Sequence, residues 1–252
     1  MIEALQSFGL SPVQWGLLAL CAMIVGMSKT GVAGIYNVII PILAVIFGAQ
    51  DSTGVLLPIL ILADIFGVLY YSRSARWADG WGVLPWAVGG VILGTLVGDN
   101  ISDEVFGQLM AVIVLGGLGL MLWLERRKSV EVPDNWWFAA LMGLLAGFTT
   151  MVGNVAGPVM VVYLLAMQLE KNDFIGTNAW FFMLINLTKL PFHIFVWKTI
   201  SVNSVILDLA MLPAIALGAV LGVWIVKRIP VKIYRTFVIA ATVVSALLLF
   251  IR

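Results

Sequence analysis

Val105–Leu124 and Met211–Val226 are long stretches of chain without one charged side chain. An apolar helix of about 18 residues or more spans the roughly 30 Å hydrocarbon core of a bilayer. A chain with several such runs has too little polar surface to stay in water. Of its 252 residues, 62% are hydrophobic and 11% charged, where soluble domains carry about 45–50% and 25%. The expected fold class is an all-α polytopic membrane protein.

The charge balance removes other classes. Fourteen Lys and Arg nearly cancel thirteen Asp and Glu, without the basic excess that a nucleic-acid partner requires. Cys21 is the single cysteine, cannot form an internal disulfide, and reads as a small buried hydrophobe. One histidine and one cysteine cannot build a His/Cys metal cluster, and no Ser-His-Asp set is evident. Neither a metal, a cofactor nor an enzyme activity is therefore expected. The N-terminus carries Glu3 and lacks the basic region of a signal peptide, so the first segment is expected to be retained.

A repeat organises the chain. Leu84-Pro85, Gly90 and Gly94 recur as Leu212-Pro213, Gly218 and Gly222, each 128 residues later. Gly54 and Asp64 match Gly176 and Asn186, 122 residues on, and Val32-Ala33-Gly34 matches Val155-Ala156-Gly157. Ordered agreement over most of each half is the mark of a duplicated unit. Each half reads as five apolar segments, near 12–27, 33–48, 53–71, 82–98 and 104–124, then near 136–148, 155–169, 174–196, 205–226 and 231–251. Residues 1–125 and 135–252 are thus two transmembrane repeats, separated by a basic linker, 126–134. An odd number of passes per half makes the two repeats inverted in topology. Each is expected to hold a broken-helix hairpin and three spanning helices, a plan typical of secondary transporters.

Charge placement agrees with that plan. With Arg126, Arg127 and Lys128 cytoplasmic, strict alternation also brings Arg73, Arg76, Lys171, Lys227, Arg228, Lys232 and Arg235 inside. Asp51, Asp99, Asp103 and Glu104 fall outside, giving a positive-inside bias with both termini outside. Trp77, Trp81, Trp86, Trp123, Trp136, Trp137 and Trp197 lie near segment ends, as an interfacial belt would place them. Gly90, Gly94 and Gly98, and Gly218 and Gly222, have the spacing of close helix packing.

The chemistry concentrates in two breaks. Gly26–Gly34 interrupts the first half and Gly147–Pro158 the second, each between short apolar segments. A helix that restarts after such a break offers free N–H groups and a positive dipole end to an anion. Lys29 adds a charge to the first. Two readings stay open: water-exposed turns, or tips of re-entrant hairpins beside a cavity. The third segment of the second half adds a polar face. At 100° per residue from Asn178, Asn186 falls at about 80°, Lys189 at about 20° and His193 at about 60°. That face is either a seam between helices or part of a site, since an ionisable group at that depth is costly and functional by default. Asp64, opposite Asn186 in the repeat, is a counter-ion for Lys29 or Lys189, or a proton carrier. His193 is equally open between a structural and a proton-relay role. Tyr36 and Trp180 are weaker candidates for contacts.

These motifs resemble the sulfite exporter TauE/SafE family of bacterial membrane permeases. The likeness runs through both Gly-rich breaks, Asp51-Ser52-Thr53-Gly54, Asp173–Asn178, and the Pro-x4-Gly-x3-Gly helices at 85–94 and 213–222. It implies export of sulfite, sulfonates or related small anions across the bacterial inner membrane. The substrate site expected from both lines is Ser28, Lys29, Thr30, Gly31, Asn37, Gly153, Asn154, Asn178, Asn186 and Lys189, with Asp64 and His193 as proton-coupling candidates. One departure from symmetry is that the second break holds no charge. The expected partners are a small anionic substrate and the lipid bilayer, with a homodimer left open. No Walker motif is present, so ATP is not the direct driver. A passive channel and a carrier of small carboxylates are the rival readings.

Overall fold

The computed structural model describes residues 2–30, 35–71, 77–126, 135–167, 169 and 171–226. Gly31, nearly all of the linker and the expected last segment, 231–251, lie outside the described residues. So do the basic residues Arg73, Arg76, Lys227, Arg228, Lys232 and Arg235.

All regular structure among the described residues is helical. In the first half, α1 (Ile2–Gln6) and α2 (Pro12–Thr30) precede a 3-10 turn, Ile35–Val38, and then α3 (Ile39–Phe47). Next come α4 (Ala49–Tyr71), α5 (Trp77–Asp99) and α6 (Asp103–Arg126). The second half has α7 (Trp136–Gly153), α8 (Gly157–Ala166) and α9 (Lys171–Pro191), which continues into a π turn, Phe192–Val196. It goes on to α10 (Val202–Ala210) and α11 (Leu212–Val226). Among the described residues six helices are long and apolar enough to cross a membrane, and α10 with α11, bent by 44°, form either a seventh, broken span or a re-entrant loop. The chain is a multi-pass membrane protein.

The breaks are narrower than the sequence suggests. Ser28, Lys29 and Thr30 extend α2, and Thr149 to Gly153 extend α7. Their hydroxyls are satisfied within the helix by bonding back to the preceding turn. Ser28 Oγ donates to the Val25 carbonyl at 2.7 Å and Thr149 Oγ1 to that of Leu145 at 2.7 Å. The partner helices are correspondingly short. α3 has 9 residues and α8 has 10, about 13–15 Å at 1.5 Å per residue, half of a hydrocarbon core. Asn154 ends α7 in the left-handed region at φ 55°, a conformation Asn tolerates better than most residues. Gly48, at φ 98°, turns the chain between α3 and α4. Asp103 then caps α4 from α6, accepting from the Ala49 N–H at 3.0 Å and the Gln50 N–H at 2.8 Å.

Two helix pairs carry most of the packing between the halves, α5 on α7 and α2 on α11. Both rest on glycine. A Cβ on Gly147 would strike the Ala87 carbonyl and the Val91 nitrogen, and one on Gly26 would strike the Ile215 carbonyl and the Ala219 nitrogen. Ile215 follows Ala87, and Ala219 follows Val91, by the 128 residues of the sequence repeat. Equivalent glycines thus make equivalent contacts. Gly143 meets Val83 and Gly94 meets Met151, so α5 and α7 run parallel. Gly218 meets Met23 and Gly222 meets Met27, so α2 and α11 do too. The third helices, α4 and α9, instead run antiparallel, since Gly54 lies at Thr199 and Gly67 at Ala179.

Trp86, Trp123, Trp136 and Trp137 face outward, as an aromatic belt requires. Trp197 does not. Its ring is buried in space left by Gly98, and Nε1 donates to the Thr95 carbonyl at 3.1 Å. Its place at a segment end hid an anchoring role between α5 and the end of α9.

Candidate functional site

The crossing of α4 and α9 positions the polar groups. Asp64 sits fifteen residues into α4 and Asn186 fifteen into α9, about 22 Å along each helix. These repeat-equivalent residues bond each other, Asn186 Nδ2 donating to Asp64 Oδ2 at 2.7 Å. Lys29 comes from the last turn of α2 and pairs with the other carboxylate oxygen, Nζ to Oδ1 at 2.6 Å. The same ammonium lies 4.7 Å from the centre of the Phe182 ring and 6.0 Å from that of Tyr36, within cation–π range. Gly67 of α4 lies against this turn, where a Cβ would stand 3.4 Å from the Lys29 carbonyl, in ordinary van der Waals contact.

Lys189, one turn after Asn186, reaches the second break. Nζ donates to Asn154 Oδ1, and to Thr150 Oγ1 and Asn186 Oδ1 at 3.4 Å each. A continuous chain of contacts therefore runs Lys29–Asp64–Asn186–Lys189–Asn154. The two breaks also touch directly, since Tyr36 places its hydroxyl 3.4 Å from where a Gly157 Cβ would be. The halves supply their lysines reciprocally. Lys29, on the broken helix, faces Gly67 on the third helix, while Lys189, on the third helix, faces Thr150 on the broken one.

Burial decides what this can do. Asp64, Asn186, Lys189 and Asn154 are 2% exposed or less. Lys29 has a carboxylate partner, but the three acceptors around Lys189 are all neutral. Among the described residues two lysines against one aspartate leave a formal charge of 2 − 1 = +1 in this buried cluster. A buried ammonium not directly paired with a carboxylate is costly, and an incoming anion would relieve that cost. Asn154 Nδ2, a second donor beside Lys189, has no partner among the described residues. α8 begins at Gly157, so its positive end lies at the same break.

His193 is on the π turn one turn beyond Lys189 and is fully buried. It is fastened to the chain that follows: Nδ1 lies 2.8 Å from Thr199 Oγ1, and its carbonyl accepts from the Thr199 N–H at 2.9 Å. Nε2 has no partner.

Of the residues expected from the sequence, Lys29, Asp64, Asn154, Asn186 and Lys189 come together. Ser28 turns its hydroxyl to its own helix. Thr30 Oγ1 lies 2.8 Å from the Ala219 carbonyl and serves the α2–α11 contact. Gly153 packs on Ile113 of α6. Asn178 shares the direction of Lys189 but stands eleven residues earlier, about 16 Å along the axis, so it belongs to another level. Its Oδ1 is buried without a partner. Gly31 and the Asn37 side chain lie outside the described residues. Thr150 was missed, although it belongs to the second break; only the reach of Lys189 singles it out.

No curated protein and no solved structure gives a significant match to this chain. The profile of the sulfite exporter TauE/SafE family matches residues 18–249, nearly the whole length, and the chain belongs to that family.

Proposed function

We propose that the protein is a secondary transporter of small sulfur-containing anions, sulfite or organosulfonates, working by alternating access around Lys189. The family is one of membrane transporters rather than enzymes. The observation that carries the site is the fully buried ammonium of Lys189, bonded only to neutral groups. An anion bound there would accept from Lys189 and from Asn154 Nδ2. Lys29 would hold the Asp64 carboxylate, so that its negative charge does not oppose an anion at Lys189. Since Lys189 is closed from solvent in this conformation, the anion enters by a movement of one half on the other.

The packing supports an inverted arrangement of residues 1–125 and 135–252. Strict alternation requires segments four and six to run parallel, as α5 and α7 do, and segments one and nine likewise, as α2 and α11 do. It requires segments three and eight to oppose each other, as α4 and α9 do. With the linker cytoplasmic, both termini are outside and the membrane is the bacterial inner membrane. The direction of flux is export, as the family name suggests.

Counterflow in proteoliposomes tests this reading. Vesicles preloaded with sulfite, a sulfonate or a small carboxylate take up labelled sulfite transiently if the protein is a carrier. Lys189→Ala and Lys29→Ala are expected to abolish and to weaken that uptake. Flux that neither saturates nor shows counterflow would make the protein a passive anion channel. Normal transport by both variants would put the site elsewhere.

A further inference from the structure

Asp208 takes no part in the network around Lys189. It lies near the end of α10, is 0% exposed, and neither carboxyl oxygen has a hydrogen-bond partner among the described residues. α10 packs on α1, α4 and α11. The charged groups on those helices leave Asp208 alone. Glu3 and Asp51 are exposed, Asp64 is taken by Lys29 and Asn186, and α11 carries no charge through Val226. Burying a carboxylate without a donor or a counter-ion is costly, so this carboxyl needs a cation as its partner.

A divalent metal ion asks for several oxygen ligands together, and no group of three acidic, His or Cys side chains stands ready among the described residues. Ser204, one turn before Asp208 on α10, is engaged with Ser201 in a capping box. A proton asks for one lone pair. We propose that Asp208 is a proton-binding site that couples anion movement to a proton gradient. This rests on the transport reading above.

Position supports the coupling. Asp208 precedes the 44° bend between α10 and α11, and its carbonyl accepts from the Met211 N–H at 3.1 Å. Beyond the bend, α11 packs on α2, which carries Lys29, while α10 itself packs on α4, which carries Asp64. Taking up a proton turns the carboxylate into a neutral acid, with no other bond made or broken. The cost of holding α10 against α4 changes with it. When the contact opens to water on the other side, the proton leaves.

The test uses full-length protein in proteoliposomes with labelled sulfite and the membrane potential clamped. Two readouts separate the claims: counterflow without a gradient, and accumulation driven by a pH gradient of either orientation. The parent is expected to show both. Asp208→Asn is expected to keep counterflow and to lose gradient-driven accumulation. Asp208→Glu, which keeps the carboxyl, is expected to retain accumulation with a displaced pH profile, and it decides the matter should the Asn variant not fold. Accumulation by Asp208→Asn in the parent's proportion, or a Glu variant with the parent's pH profile, overturns the proposal. So does a parent that counterflows but ignores the gradient. A parent without counterflow would instead sink the transport reading itself.

Discussion

Lys29 and Lys189 differ in what neutralises them, and the difference sets what their replacement does. Removing one member of a buried ion pair strands the other, at a cost of about 3–5 kcal/mol. Asp64→Asn is therefore expected to lower the melting temperature in detergent, and adding Lys29→Met should restore part of the loss. A double-mutant cycle checks this, and additive losses would show that the 2.6 Å pair stabilises nothing. Asn154 separates a backbone role from a side-chain role. Asn154→Gly suits φ 55° and should fold like the parent, yet bind anion more weakly because Lys189 loses an acceptor and the substrate a donor. Asn154→Ala should add a penalty of about 1–2 kcal/mol for its left-handed backbone. Thermal melts with and without sulfite distinguish the two variants.

At the scale of the helix, glycine decides how closely the halves approach. Gly147→Ala and Gly26→Ala would push a methyl into the backbone of α5 and α11 respectively, and overpacking of this kind costs about 1–3 kcal/mol or more. Gly116→Ala and Gly119→Ala, where a Cβ meets nothing within 4 Å, should not destabilise. Melting temperatures of the four variants check the contrast. The α5 and α11 side of these contacts was legible in the sequence, because the Pro-x4-Gly-x3-Gly spacing repeats as letters; Gly26 and Gly147 instead read as the starts of helix breaks and are packing positions. Lys189 and Asn186 were legible too, since a charge on an apolar helix stands out. Less legible was depth along the axis. Asn178 shares a helix face with Lys189 by angle, but the rise of the helix puts it about 16 Å away. Ser28 and Thr149 fall within the two breaks expected from the sequence, yet both lie inside α2 and α7 with their hydroxyls bonded to the preceding turn. Asp208 escaped notice because one carboxylate hardly dents an apolar run, and only its surroundings show that nothing pairs with it.

For the whole molecule, the pairing of α2 with α11 and α5 with α7 means that each half closes over the first helix of the other. In the proposed mechanism the halves would rock as bodies while the polar chain between α4 and α9 switches access. The inverted orientation has a direct check. Glu104 and Arg126 are exposed near opposite ends of the 24-residue α6, about 33 Å apart by helical rise. In a Cys21→Ser background, Glu104→Cys should react with an impermeant thiol reagent added to whole cells, and Arg126→Cys only after lysis. The reverse pattern would invert the topology, and equal labelling of both in whole cells would deny that α6 spans the membrane.

Lys189 in the proposed mechanism awaits an anion. Calorimetric titration of sulfite into the purified protein, with Lys189→Met as the volume-matched comparison, is the decisive measurement. Saturable binding by the parent and none by the variant are expected, with the variant at least as stable as the parent in the absence of anion. Undiminished binding by Lys189→Met would contradict it.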